Sequence, residues 1–410
     1  MATGSRRRGK GSITSYSVKA GTRWRWQLWV PNDPEDPESG LRQTGKGGYL
    51  TSAAADAGLD EAKAKLKGRV TFARTMPTVA NYLDDWIDGR QLERSTIAGY
   101  KRLSRNHIRG YPIGDMPLDR LTATHLARHY RQLQQNGRKD SKGEGTGLSA
   151  NTVGKVGTVL STALDAAVSD GLIVANPARK RDVVQAPTGR QIKAQKPEMH
   201  VWDAAQLSAF LRWNLDPYND PMHALWVVAA NTGARRSEVL ALKWRDVDFV
   251  RCRITIRRAL DTELRGATKT PKSGAGRVID VDDGTLAVLR GWKADLGSAA
   301  LDLIRPEGFV FGNPRTGEPR SPNEVSRRWR TRVRLAREAL GENALQPIRL
   351  HDLRHVHASI LLSVGTPVNV VSERLGHANP TITLSVYAHV LQGQGRAAAD
   401  AFAAALTGSR

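Results

Sequence analysis

The chain has 410 residues, which at about 150 residues per domain implies two or three domains with cores of their own and excludes a small stapled scaffold. Sixty-two Lys and Arg against 40 Asp and Glu give a formal net charge of +22 at a charged fraction of 25%, so the positive excess lies on surfaces and suits a polyanion, nucleic acid before an acidic membrane. The longest apolar run, Ala224 to Ala230, is far short of the roughly 20 residues of a membrane span, and Cys252, the single cysteine, excludes an intrachain disulfide framework and a multi-cysteine zinc site.

In chain order, the first 70 residues form one region. Arg6, Arg7, Arg8, Lys10, Lys19, Arg23 and Arg25 precede the first acidic residue, Asp33. The arginine triplet is followed by polar residues, with no apolar stretch of an export signal, so a cytoplasmic protein is expected. Ser15 to Lys19 and Trp24 to Val30 alternate with period two across a turn at Lys19 to Thr22, which predicts a hairpin. A third short strand is expected near Gly48 to Thr51, and a helix over Ala53 to Lys67. The basic side chains Arg6, Arg7, Arg8, Lys10, Arg23 and Arg25 are candidates for entering a DNA groove; the alternative is a solubilising extension.

A second region, 76–177, reads as four amphipathic helices. Val79, Tyr82, Leu83, Trp86 and Ile87 share one face after Pro77. Similar patterns over Thr96 to Ile108, Thr122 to Gln135 and Thr152 to Asp170 each follow Ser or Thr cap candidates. Gly137 to Gly147 reads as a flexible internal loop. Residues 178–199 carry Arg179, Lys180 and Arg181 with few apolar residues, the composition of a basic linker that tracks a phosphate backbone.

From residue 200 the pattern mixes helices and strands. Helices are predicted over 204–213, 221–232, 237–243, 323–340 and 352–364. Arg253 to Arg257 and Arg277 to Val281 alternate and should pair antiparallel across a Lys/Gly/Ser/Pro-rich connection. An Ala-rich helix over 396–406, with Phe402 and Leu406, is too short to stand alone and should dock on something. The fold class is therefore mixed and mainly α, with a small N-terminal sheet-plus-helix domain, a helical domain and a C-terminal α+β domain.

Four segments of the last region carry chemistry. Arg235, near a helix start, is placed to grip an anion, and Glu238 three residues on offers it an ordinary ion pair instead. His351 and Arg354, at i and i+3, share one side of a helix. His377 follows Leu375-Gly376, and Tyr387 lies ten residues later. The flexible turn Pro271 to Gly276 can carry Lys272 to a phosphate; Lys269 is its competitor. His351, His355 and His357 have no cysteine or acidic ligand at zinc spacing, so no metal and no cofactor is expected.

In this order, Arg235, Lys272, His351-x-x-Arg354, His377 and Tyr387 resemble the tyrosine recombinase family, in particular phage-type integrases of bacterial mobile elements. The resemblance implies an arm-type DNA-binding domain over 1–70, a helical core-binding domain over 76–177, the linker over 178–199, an α+β catalytic domain over 200–392 and a tail helix over 393–410 that docks on a neighbouring protomer. It implies site-specific cleavage and rejoining of double-stranded DNA at core and arm attachment sites by a homotetramer, in a bacterial cytoplasm at the nucleoid, without a membrane partner. An excisionase and a host DNA-bending protein are the accessory partners such a reaction can recruit.

The residue chemistry agrees. A phosphodiester transition state needs fixed positive donors, which Arg235 and Arg354 supply as forks. Tyr387 is the candidate nucleophile, His351 its candidate base, Lys272 the acid for the leaving 5′ oxygen, His377 a phosphate donor and Glu238 the carboxylate that orients the cations. A type IB topoisomerase-like relaxing enzyme and a binding-only relative are the competing readings.

Overall fold

The computed structural model describes residues 11–387, apart from 19–20, 33–39, 68–75, 140–144, 196–199, 265, 272–273 and 275, together with 399–400, 402–404 and 406. It divides into two compact units, Met1–Pro197 and Glu198–Arg410.

The first unit begins with an antiparallel sheet, β1 (Gly11–Val18), β2 (Gly21–Pro31) and β3 (Leu41–Tyr49), with β2 in the centre. Period-two alternation puts Trp26, Leu28 and Val30 on a buried face with Leu59 and Ala62 of α1 (Ser52–Lys67). The other face pairs Arg25 with Thr14 and Arg23 with Tyr16. There Arg25 Nε donates to Thr14 Oγ1 at 3.1 Å, and its guanidinium lies 5.7 Å from the Tyr16 ring centroid. The third strand is earlier and longer than the sequence pattern predicts. Its residues, Leu41-Arg-Gln-Thr-Gly-Lys-Gly-Gly-Tyr49, have no apolar alternation, and pairing with β2 forms it. Arg6, Arg7, Arg8 and Lys10 lie outside the described residues.

Four helices follow: α2 (Val79–Asp88), α3 (Arg94–His107), α4 (Ala123–Asn136) and α5 (Ala150–Ser169). Thr78, Thr122 and Ser149 cap α2, α4 and α5 through their hydroxyls. The expected Ser/Thr cap of α3 is absent, because Ser95 and Thr96 lie inside a helix that starts after Glu93. Leu83, Ile87, Leu126, Leu133, Val153 and Leu160 interlock in the core. The connection expected to be a flexible loop is closed at its ends by a two-residue ladder, β4 (Arg138–Lys139) with β5 (Gly145–Thr146).

Residues 178–195 of the stretch expected to be a basic linker pack onto α5. Val184 is buried in the helical core, Asn176 Nδ2 donates to Ser161 O at 2.9 Å, and α6 (Gly189–Ala194) follows. Arg179 is ion-paired with Asp165, so its charge is already answered within the unit. Lys180 and Arg181 are exposed.

The second unit is built around α8 (His223–Thr232), apolar and buried on every side from Ala224 to Ala230, with α7 (Ala204–Leu215) beside it. Trp202, Phe210, Trp226 and Trp329 cluster with ring centroids 5.0–5.9 Å apart. The helix predicted over 237–243 is only the four-residue α9 (Arg236–Val239), followed by a 3₁₀ turn. Next come β6 (Val247–Asp248), β7 (Arg253–Ile256), β8 (Ala259–Leu260), β9 (Thr268–Lys269) and β10 (Arg277–Asp280). As the alternation predicts, β7 pairs antiparallel with β10, and β6 lies on its other edge. The remaining helices are α10 (Asp283–Ala299), absent from the sequence expectation, α11 (Pro322–Leu340), α12 (Asp352–Ser363), α13 (Val368–Leu375) and α14 (Pro380–Tyr387). Among the described tail residues, Phe402 and Leu406 are exposed rather than packed on their own unit. No helix among the described residues is long and apolar enough to cross a membrane.

Candidate active site

Two helix C-termini build the floor of the site. Gly233 ends α8 and Gly376 ends α13, each left-handed with φ of 61° and 68°, a conformation glycine takes without a Cβ penalty. A Cβ at Gly233 would meet His357 at 2.7 Å, and one at Gly376 would meet Arg277 Nη1 at 3.0 Å. The freed carbonyls hold arginines. Arg354 Nη1 donates to Gly233 O at 2.9 Å, and Arg235 Nη2 donates to Gly376 O at 3.3 Å.

Glu238, on α9 and 1% exposed, is a buried anion among these cations. It accepts from Arg235 Nη1 at 2.9 Å, from the Arg235 backbone N–H at 2.9 Å and from Arg277 Nη2 at 2.7 Å. The ion pair expected as the mundane role of Arg235 is therefore present, and the guanidinium still spans from Glu238 to the α13 terminus. Although burial pushes the Glu238 carboxyl up, its bonds to Arg277 and Arg235 outweigh this and hold it below the usual range, ionised at neutral pH.

Arg354 is buried at 4% exposure, and its second amino group, Nη2, has no partner among the described residues. Burial, and then the like charges of Arg235 and Arg277, lower its pKa to about 10. A guanidinium with an unanswered N–H in a cationic neighbourhood is a site for an anion.

Tyr387, the last residue of α14, packs with Ala358, Leu362, Val371 and Leu375. Burial raises its pKa to about 12, against the pull of Arg354. Its hydroxyl lies 2.6 Å from His355 Nδ1, with the rings 5.7 Å apart. The imidazole touching the phenol is thus His355, one helical turn beyond the expected base, His351. His351 is exposed and meets the His355 ring edge-on at 5.6 Å. Burial and then His351 lower the His355 pKa to about 4, leaving the ring neutral near pH 7 with a nitrogen free to accept. Although the residue as a whole is exposed, partial desolvation of its ring and then the Arg354 charge lower His351 as well.

His377 follows Gly376 with its Nδ1 2.8 Å from Thr383 Oγ1; burial and then Arg354 lower its pKa to about 4. Of the sequence candidates, Arg235, Glu238, His351, Arg354, His377 and Tyr387 thus converge. Lys272 lies outside the described residues, whereas Lys269 is half-buried on β9 opposite Ala259. Residues that sequence reasoning left out are His355 as the partner of the phenol and Arg277 as the second cation on Glu238. His355 had a signal in its i+4 spacing from His351; Arg277 had none beyond its strand. No cluster suited to a metal ion occurs among the described residues.

Residues 203–394 match the model of the phage integrase family. Curated relatives include a tyrosine recombinase XerC-like protein of Caldanaerobacter subterraneus, 24% identical over 73% of this chain and 75% of that one. The ICEBs1 integrase of Bacillus subtilis is 28% identical over 62% of this chain and 66% of its own length. An integrase of Streptomyces ambofaciens is 27% identical over 88% of this chain and 89% of its own. The fold is shared with the Tn1549 transposon integrase solved in complex with a circular intermediate DNA, at a TM-score of 0.64 and 22% identity over 80% of this chain and 100% of that one. It is also shared with a lambda integrase tetramer bound to a Holliday junction, at a TM-score of 0.53 and 19% identity over 90% and 96%.

Proposed function

We infer that this chain, whose residues 203–394 form a phage integrase family domain, is a site-specific DNA recombinase that cuts and rejoins strands through a covalent 3′-phosphotyrosine. The observation carrying this reading is the Tyr387 hydroxyl, 2.6 Å from a neutral imidazole, beside a buried guanidinium with an unpartnered N–H. A nucleophile, a proton acceptor and a donor for a phosphate oxygen meet in one place.

In the reaction, Tyr387 Oη attacks the scissile phosphorus while its proton passes to His355 Nδ1. The bond from phosphorus to the 5′ oxygen breaks, and that oxygen takes a proton from Lys272. Arg354 Nη2 and the Arg235 fork meet the non-bridging oxygens, Glu238 holds Arg235 in place, and His377 donates to the same phosphate. Attack by the 5′ hydroxyl of a partner strand reverses each transfer, so the bond energy is kept without a nucleotide cofactor.

The wider assembly belongs to the same proposal. The face of the N-terminal sheet with Arg23 and Arg25 reads arm sites together with Arg6, Arg7, Arg8 and Lys10, and the helical domain with Lys180 and Arg181 grips the core site. Four protomers hold two duplexes, an excisionase or host bending protein setting direction, and integrate or excise a mobile element in the bacterial cytoplasm. The integrase relatives and the DNA-bound integrases sharing the fold support this reading over a topoisomerase.

The test is a nicked suicide duplex from the element's attachment region, incubated without metal with wild type and Tyr387→Phe. An SDS-stable adduct from wild type alone is expected. Adduct from both would remove Tyr387 from the chemistry, and relaxation of a supercoiled plasmid lacking the site would favour the topoisomerase reading.

A further inference from the structure

Arg277 opens β10 and is nine-tenths buried, its side chain 8% exposed. Its three nitrogens have three different fates. Nη2 donates to Glu238 Oε2 at 2.7 Å, Nε donates to the carbonyl of Arg374 at 2.9 Å, and Nη1 is buried without a partner among the described residues. These partners are also the supports of Arg235, which bonds Glu238 on one side and Gly376 O, two residues after Arg374, on the other. Arg277 and Arg235 therefore span the same two anchors, α9 and the end of α13. His377 leaves from that end, and Gly376 has no room for a Cβ because Arg277 Nη1 occupies the space.

We propose that Arg277 is a positioning residue for phosphate binding: it ties Glu238 to the α13 terminus and thereby aims Arg235 and His377 at the scissile phosphate. This rests on the recombinase reading above. With Arg277 present, Glu238 divides its two oxygens between two guanidinium groups. Without it, both oxygens are free to chelate Arg235 bidentately, the more stable arrangement for an isolated pair, which turns that fork from the substrate toward the protein. The α13 terminus also loses its tie to β10, so the His377 donor is no longer held in register with Arg235.

The experiment compares wild type, Arg277→Met and Arg277→Lys in single-turnover cleavage of two nicked suicide duplexes. One has the natural scissile phosphodiester; in the other, a methyl group replaces one non-bridging oxygen, giving a neutral methylphosphonate. If Arg277 acts by aiming the groups that neutralise the non-bridging oxygens, its loss slows the charged substrate by about 10²-fold, the scale of losing one oxyanion donor, and the neutral one by less than about 10-fold. DNA affinity should stay within about threefold of wild type, since one internal side chain contributes little to a many-phosphate interface. Arg277→Lys keeps a charge for Glu238 but cannot also fork to the Arg374 carbonyl, and should fall between the two.

An equal deficit on both substrates, or one accounted for by weaker DNA binding, would make Arg277 merely structural and overturn the proposal. If Arg277→Met does not fold, Arg277→Lys carries the comparison, and a wild-type ratio between its two substrates overturns the proposal equally. A wild type that forms no Tyr387-dependent adduct overturns the recombinase reading and this one with it, whereas an active wild type matched in rate by Arg277→Met overturns only the role of Arg277.

Discussion

The contact between His355 and Tyr387 makes a quantitative demand on the pH dependence of cleavage. His355 Nδ1 accepts a proton only while the ring is neutral, and burial beside His351 lowers its pKa from 6.5 to about 4. Because the folded-state pKa is depressed, the neutral ring persists as pH falls and is lost only through pH 4. At pH 5.5 a group of pKa 4 is about 3% charged, whereas an unperturbed histidine would be roughly 90% charged. The apparent second-order rate of adduct formation on sub-saturating nicked duplex reports ionisations of the free protein. It should stay within about 10% of its plateau from pH 7 down to pH 5.5 if His355 is the acceptor. His355→Gln keeps a hydrogen-bond acceptor near the phenol but removes the base, and should slow the plateau by roughly 10²–10⁴-fold. An acid limb with its midpoint near pH 6.5, or a His355→Gln enzyme as fast as wild type, would refute the reasoning and take the role from His355.

Other substitutions probe separate parts. Arg354→Lys cannot bond Gly233 O and a phosphate oxygen together, so adduct formation should fall by roughly 10²-fold while gel-shift affinity is retained; a wild-type adduct rate would remove the Arg354 fork from the site. Lys272→Ala should slow cleavage more than Lys269→Ala, and the reverse order in a single-turnover assay would move the acid to Lys269. Replacing Arg23 and Arg25 together by Gln should lower the slope of log affinity against log salt by about 2 on arm-site DNA; an unchanged slope would take that sheet face out of the interface. Asp220 accepts from Asn214, Trp226, Arg332 and the Met222 backbone at the heart of the second unit. Asp220→Ala strands Arg332 and should cost about 3–5 kcal/mol in denaturant unfolding, and a loss below about 1 kcal/mol would contradict the accounting of that network.

Helices with one apolar face were legible because period 3.6 survives whatever they pack against: Val79, Leu83 and Ile87 lie buried on α2 as their spacing implies. The third strand of the N-terminal sheet was not, because a Gly- and Gln-containing segment acquires strand geometry only from its neighbour. The stretch after Pro177 looked like a solvated linker on charge, yet one valine, Val184, and the Asn176 hydrogen bonds pin it to α5. At the site, residue types and order were readable, and so was the helical side shared by His351 and Arg354. Which histidine meets the phenol was not: i and i+4 lie on nearly the same face, and the approach of α14 decides between them. Arg277 lay beyond sequence spacing altogether, since its partners are 39 and 97 residues away along the chain.

The residues that escaped the sequence reading explain how the site is poised. Two guanidinium groups, Arg235 and Arg277, bond one carboxylate, Glu238, with Arg354 beside them, and Arg277 and Arg354 each retain a buried N–H without a partner among the described residues. This arrangement is costly, since each unanswered donor forfeits about 1–3 kcal/mol, and burial first and then the like charges of Arg235 and Arg277 lower the pKa of Arg354. One anion is too few to satisfy them, and a second carboxylate would satisfy them permanently and close the site to phosphate. On the recombinase reading proposed above, an incoming phosphodiester supplies further acceptors at the point where negative charge grows during attack by Tyr387. On the recombinase reading, the excess of cations over carboxylates favours the transition state over the bound substrate, because the phosphoryl oxygens carry the most negative charge when the phosphorus is pentavalent.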